Sequence, residues 1–397
     1  MLSRAGRETT GANGSAQSPR HWSKLISSKL VLGLDPIAEW GRSLWVQLCQ
    51  TKQDVRLKVS NSMAQAPRRF WILVFPDLPR PVGGVKQMHR VAEAIQACGH
   101  EVVMVQENAD FHPGWFRSDL PTTDRQSWLK RSDLLPERDV VILAETFLPL
   151  LPTLKPGVPK ILLNQNGAYS FGVVGSRFPK PSQVLKLYRH RDLQQIWCVS
   201  EHDRRLLSLG LGLPANRVRR LVNGLEPQVR PGNAKQWKVA FMPRKNSHDV
   251  DVVTALLQQQ SWWKGWSLQV IENCSHDAVV EALQSSLVFL SFGHPEGFGL
   301  PVAEAMACGC AVVGYSGLGG RELFDLAAGY GLGVAVEPGD WLGCVQGVAQ
   351  INHALRSRQD DVALQLDAMA NAVQQRYSNE EMQRSVAEAI DLLASEP

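Results

Sequence analysis

Ser291-Phe-Gly-His294-Pro-Glu296-Gly297-Phe298-Gly299-Leu300-Pro301-Val-Ala-Glu304-Ala-Met-Ala-Cys308-Gly309 decides how this 397-residue chain is read. An apolar run, Leu287-Val-Phe-Leu290, precedes it, and another, Ala311-Val-Val313, follows. The order is therefore strand, glycine loop, helix, strand. Gly297 and Gly299 carry no Cβ, so a ligand can approach the backbone closely. Pro301 stands where the first turn of a helix tolerates a missing N–H. A helix start presents unpaired N–H groups and the positive end of the peptide dipoles, which together attract phosphate. Glu304 falls about one turn further in. There its carboxylate can accept hydrogen bonds from two neighbouring hydroxyls, as on a ribose. Glu296 lies ahead of the helix, with seven residues between it and Glu304. The combination points to a site for a sugar nucleotide.

The string resembles the nucleotide-sugar site of the retaining GT-B glycosyltransferases grouped as glycosyltransferase family 4. That family places Gly-Phe-Gly-Leu between two glutamates and follows the second with a small-residue helix. Here Glu296, Gly297-Phe298-Gly299-Leu300 and Glu304-Ala-Met-Ala-Cys-Gly309 match nearly position for position. Val199-Ser200-Glu201, Asn216-Arg217-Val218 and Val222-Asn223-Gly224 match a second, more structural run of the family. A bare pair of glutamates at this spacing is a weak signal, and the full string is a strong one. The resemblance covers roughly residues 70–395 and is thinnest over 100–190. It implies two Rossmann-like α/β domains facing a cleft, a nucleotide-sugar donor on the second domain, and sugar transfer with retention.

The rest of the chain reads the same way. Phe70–Phe75, Glu101-Val-Val-Met-Val105, Val140-Val-Ile-Leu143, Lys160-Ile-Leu-Leu163 and Ile196-Trp-Cys-Val199 are apolar runs alternating with helical patterns. Such alternation predicts a parallel sheet covered on both faces. A second set begins after a polar Pro- and Gly-containing segment at 226–236. Its strands are expected at 239–242, 268–271, 287–290, 311–313 and 333–336, with helix over the Gln-rich stretch 346–376. The expected organisation is an N-terminal extension over 1–66, an acceptor domain over 67–228 and a donor domain over 236–377. The resemblance implies that a last helix, 378–396, crosses back onto the first domain. In open parallel sheets ligands sit beyond the carboxyl ends of the strands, so the site is expected between the two domains.

Composition restricts the class. A net charge of +4 is too small to imply nucleic acid. Residues 1–62 hold nine Lys/Arg against four Asp/Glu, leaving 33 basic and 34 acidic residues beyond them. The leader is thus basic and the body near neutral. Residues 22–60 contain Ile37, Trp40, Leu44 and Leu48 at helical spacing beside Arg42 and Lys52. This is consistent with a helix lying on a membrane surface, or with one packed on the body. Met63 would be a sufficient start for the folded body. Seven scattered cysteines without C-x-x-C spacing read as buried thiols in a reducing compartment. A cytoplasmic protein is expected, with peripheral contact at the inner membrane face as an option.

Further candidates follow from position. Gly83-Gly84 joins the first strand to the first helix, and the resemblance puts an acceptor-side glycine loop there. Arg244-Lys245 ends the first strand of the second domain, where cations can neutralise a diphosphate without a metal. The family spaces such cations further apart, so which of the two faces inward stays open. His294, beside Glu296, can touch sugar or phosphate or simply be a loop histidine. Asn164 and Asn166 replace a histidine-containing motif of the family and offer amides to sugar hydroxyls. Glu322 follows the glycine turn 317–320 and is a weaker candidate. Asp249-Val-Asp251 opens a helix and reads as capping rather than as a metal site. By resemblance Glu304 binds the donor ribose, while Glu296 contacts the transferred sugar. The reading is a hexosyltransferase needing no cofactor beyond its donor, with an unknown acceptor. The alternatives are a non-catalytic nucleotide-sugar-binding protein, or a dinucleotide-dependent epimerase or oxidoreductase. The latter lacks the G-x-G-x-x-G fingerprint after the first strand.

Overall fold

The computed structural model describes residues 67–79, 82–172, 180–232, 234–357 and 359–394. The extension over 1–66, with its expected surface helix, lies outside the described residues. Among the described residues no helix is long and apolar enough to cross a membrane.

Two parallel sheets form two domains. The first has seven strands in the order β3-β2-β1-β4-β5-β6-β7. They are β1 (Arg69–Leu73), β2 (Glu101–Gln106), β3 (Thr122–Asp124), β4 (Asp139–Ala144), β5 (Lys160–Asn164), β6 (Leu193–Cys198) and β7 (Val218–Arg220). The five expected runs are the five central strands. They are continuously apolar because helices cover both faces. β3 and β7 were not legible in the sequence. Each is three residues long and partly exposed, so pairing to a sheet edge rather than apolar patterning makes it a strand.

The second sheet has the order β12-β11-β10-β8-β9. Its strands are β8 (Gln236–Phe241), β9 (Ser267–Val270), β10 (Ser286–Ser291), β11 (Ala311–Tyr315) and β12 (Gly333–Val336). All five expected strands are present. The expected helical stretch 346–376 is two helices, Trp341–Ser357 and Gln359–Arg376.

The strand order reverses between β1 and β4 in the first sheet and between β8 and β10 in the second. Crossover loops diverge at such points and leave a crevice at the carboxyl ends of the strands. The loops that leave β8 and β10 carry residues 242–246 and 292–299. The decisive motif therefore sits at the switch point of the second sheet.

The chain crosses between domains twice, and the crossings touch. Leu225 N donates to Tyr377 O at 2.7 Å, and Val222 N donates to Ser385 Oγ at 3.0 Å. Beyond Tyr377 the helix Asn379–Ala394 returns to the first domain. Its Met382, Val386, Ala389, Ile390 and Leu393 belong to that domain's core, packed against the helix Gly83–Ala97. Ile390 is buried there, so Ile390→Ala should cost about 2–5 kcal/mol through lost contacts and a cavity. Urea denaturation is expected to show an earlier midpoint; an unchanged midpoint would mean that the helix does not hold the first domain.

Candidate active site

The end of β8 and the loop after β10 are tied by two consecutive side chains. Lys245 Nζ lies 2.9 Å from Glu296 Oε1 and donates to Pro295 O at 3.0 Å. Asn246, in the left-handed region at φ 54°, donates from Nδ2 to Phe292 O at 2.7 Å and to His294 O at 3.3 Å. Arg244 is exposed. Of the adjacent cations, Lys245 is thus the one turned to the glutamate. Burial would lower the Lys245 pKa, but the Glu296 carboxylate outweighs it and the ammonium is held above its ordinary value.

The backbone of Glu296 is fixed from the other side. Its N–H donates to Gly317 O at 2.6 Å, and its carbonyl accepts from Gly319 N at 3.0 Å. A Cβ on Gly319 would overlap the carbonyl of Gly297, and a Cβ on Gly297 would overlap the carbonyl of Gln165 in the first domain. The Glu296 loop is therefore clamped between the 317–320 turn and the first domain. Gly297 was expected to admit a ligand; in this structure the group it admits is the Gln165–Asn166 backbone. Asn166 Nδ2 adds a 3.3 Å bond to Pro295 O across the same contact.

The helix after the loop runs Leu300–Ala307 and begins at Gly299, whose φ of 90° requires glycine. Phe298 is buried, edge-on to Tyr377 at 5.0 Å, and Leu300 faces Gly83. Both anchor the motif rather than line an open site. Glu304 projects from the helix and accepts at Oε1 from His276 Nε2 at 3.0 Å. His276 opens the helix His276–Ser285. Its Nδ1 lies 3.2 Å from Glu226 Oε2, off the N–H axis but within ion-pair range. Glu226 Oε1 in turn takes Lys86 Nζ and Arg90 Nη2, each at 2.9 Å, from the first-domain helix Gly83–Ala97. Burial alone would lower the His276 pKa, yet the carboxylates of Glu226 and Glu304 beside the ring raise it to about 9. Burial alone would raise the Glu226 pKa, yet His276 and Lys86 hold its carboxyl well below the ordinary range. A cavity of about 670 Å³ between the domains is lined in part by Arg90, Trp115, Phe116, Glu226 and His276, but not by Glu296 or Lys245.

The remaining candidates separate by position. Gly84 faces the Gln165 side chain, which covers the start of its helix. Asn164 is fully buried, accepting at Oδ1 from Tyr188 Oη at 2.6 Å and Ser170 Oγ at 3.1 Å. Its amide is consumed inside the first domain, and the expected sugar contact is out of its reach. Glu322 pairs with Arg220 at 2.7 Å, joining the second domain to β7. His294 stays partly exposed, with burial lowering its pKa. Asp249 accepts from Tyr315 Oη at 2.9 Å and Trp341 Nε1 at 3.0 Å, a bracing role in the first turn of its helix.

Sequence reasoning passed over His276, Glu226, Lys86 and Gln165. Lys86 and Arg90 do share a helix face, but Glu226 read only as linker, and nothing local links it to residue 276.

Residues 264–360 match the model of the Glycosyl transferases group 1 family. An alpha-1,6-glucosyltransferase of Actinobacillus pleuropneumoniae is 29% identical over 110 residues, which covers 27% of this chain and 30% of that enzyme. The match thus spans under a third of the curated relative. Among solved structures, sucrose-phosphate synthase from Thermosynechococcus elongatus superposes with a TM-score of 0.62 at 12% identity, covering 82% of this chain and 99% of that one. Anabaena HepE in complex with UDP-glucose gives 0.58 at 14% identity, over 81% and 99%. At these identities the likeness establishes the fold, the two-domain GT-B arrangement.

Two buried carboxyls support the cleft wall from behind. Glu145 Oε2 accepts from Gln165 N at 2.9 Å, and Asp203 Oδ2 from Gly167 N at 3.1 Å. Burial pushes Glu145 up to about 8 and Asp203 to about 7 despite those bonds. Both folded-state values exceed the unfolded ones. Their contribution is therefore full below about pH 4 and is lost as pH rises through about 7–8. Glu145→Gln should flatten that fall, read as the urea midpoint against pH; parallel curves for the variant and the parent would refute it.

Proposed function

We propose that this chain is a glycosyltransferase that moves a hexose-type sugar from a nucleotide-sugar donor to an acceptor hydroxyl with retention of anomeric configuration. The observation that carries the reading is one of placement. Glu296, paired with Lys245, and Glu304, in the opening turns of a helix, stand on the loop and helix that follow β10 at the switch point of the second sheet, and both segments are linked to the first domain. The family match over 264–360 supports the class, and the UDP-glucose bound to HepE supports the type of donor.

In this reading the donor ribose sets its diol on Glu304. The diphosphate lies against the helix start, with Lys245 and the exposed Arg244 as counter-charges. Glu296 contacts hydroxyls of the sugar. The acceptor enters from the first-domain side, past Asn166 and Gly83-Gly84. Its oxygen bonds to the anomeric carbon while the bond to the leaving phosphate oxygen breaks. That phosphate oxygen takes the acceptor proton, so no separate side-chain base is required.

Thermal shift against UDP, GDP, ADP and their sugar forms identifies the donor, because a ligand of the native state raises the melting point. With that donor, Glu304→Ala is expected to raise the donor KM about tenfold or more with a smaller change in kcat. Glu296→Ala should instead lower kcat by about a hundredfold. Lys245→Ala should be more damaging than Arg244→Ala. Parental turnover in the Glu296→Ala/Glu304→Ala double variant would contradict the assignment. Proton NMR of the product's anomeric centre tests retention.

A further inference from the structure

We propose that His276 is a positioning residue of the donor site: it fixes the Glu304 carboxylate for the ribose diol and couples it, through Glu226, to the first domain. The inference rests on the reading of Glu304 as the ribose-binding carboxylate and adds a group that the motif does not contain.

The geometry is specific. His276 stands between two carboxylates on different segments: Glu304 on the helix Leu300–Ala307 and Glu226 on the crossing between domains. Nε2 occupies Glu304 Oε1 at 3.0 Å. Among the described residues Glu304 Oε2 has no hydrogen-bond partner. A carboxylate offers about four lone-pair directions, so one bond from His276 leaves capacity for a vicinal diol. An unrestrained glutamate would lose side-chain freedom when it bound that diol. A glutamate already held by an imidazole has lost that freedom beforehand, which is how bonds behind a binding group raise affinity.

The imidazole is held in its turn. Glu226 Oε2 faces Nδ1 at 3.2 Å and also accepts from Gln228 Nε2 at 2.6 Å. Glu226 Oε1 takes Lys86 and Arg90 from the first domain. Lys86 Nζ also comes within 3.5 Å of His276 Nε2, a like-charge approach that Glu226 offsets. The groups facing His276 are therefore Glu304, Glu226 and Lys86, with Arg90 behind Glu226. Two carboxylates against one ring favour the imidazolium, with N–H donors on both nitrogens. The raised pKa of about 9 agrees with this. A protonated His276 donates to Glu304 throughout the neutral range, and the bond weakens only as pH climbs past that value.

The test is isothermal titration of the full chain with UDP, or with GDP or ADP if the melting screen favours one, alongside the matching 2′-deoxynucleotide. The parent is expected to favour the ribose form by about tenfold. His276→Ala should lose most of that preference, with affinity falling about tenfold for the ribose form and far less for the 2′-deoxy form. His276→Gln keeps an N–H donor, so it should restore much of the preference and abolish the decline expected of the parent as pH rises through about 9. A His276→Ala variant that binds the ribose form as tightly as the parent, or more tightly, would overturn the proposal. So would equal weakening toward both forms, since that would place His276 in the phosphate site or in the fold. Glu304→Gln separates the two levels. Unchanged ribose preference in Glu304→Gln removes the underlying reading of Glu304, whereas lost preference there with intact preference in His276→Ala removes only the role of His276.

Discussion

The carbonyl of Gln165 stands where a side chain on residue 297 would begin. That close approach sets how the two domains meet. The Glu296 loop can lie against the first domain only because residue 297 lacks a Cβ, and it can lie against the 317–320 turn only because residue 319 also lacks one. Main chain packs on main chain through three layers. Bare backbone at such a junction needs its polar groups satisfied, and they are: Glu296 N and O bond to Gly317 and Gly319, and Pro295 O accepts from Asn166 and Lys245. Glu145 fixes the first-domain side by accepting from Gln165 N.

The two motif glutamates are managed by opposite means. Glu296 sits beside a lysine of its own domain, delivered by the neighbouring strand at the switch point. Glu304 sits beside a histidine whose second nitrogen faces a carboxylate anchored to the other domain. The first arrangement survives any rigid displacement of the domains. In the second, His276 and Glu304 share a domain, and only the link through Glu226 depends on the first-domain helix, from which Lys86 and Arg90 hold it. A nucleotide on the proposed site would therefore meet one carboxylate whose setting is local and one whose histidine partner is also tied to the other domain. Removing one member of this partly buried ion chain would leave a charge without its partner, which is costly whatever the net worth of the complete chain.

Much of the fold was legible. Apolar runs marked ten of the twelve strands, most clearly the central ones, because a parallel strand buried on both faces has no polar alternation. β3 and β7 escaped because a three-residue edge strand exists only by pairing with its neighbour. The motif 291–309 displayed its glutamates and glycines in the open. Its sequence could not say that Phe298 and Leu300 face protein, nor that Lys245 rather than Arg244 turns inward. Asn164 shows the converse. An amide at a strand end has the same sequence signature whether it faces a cleft or a buried tyrosine, and here Tyr188 and Ser170 take it.

The chain by itself determined the class of most segments: which apolar stretches are strands, where a helix starts after a glycine loop, and which carboxylates stand near that start. These follow from spacing within about twenty residues, where the backbone leaves few choices. Only the tertiary structure decided which partners those carboxylates have. Residues 86, 226, 276 and 304 are far apart along the chain and carry no shared local pattern. They meet because two sheets, each with its own switch point, are closed on one another by a helix that crosses back.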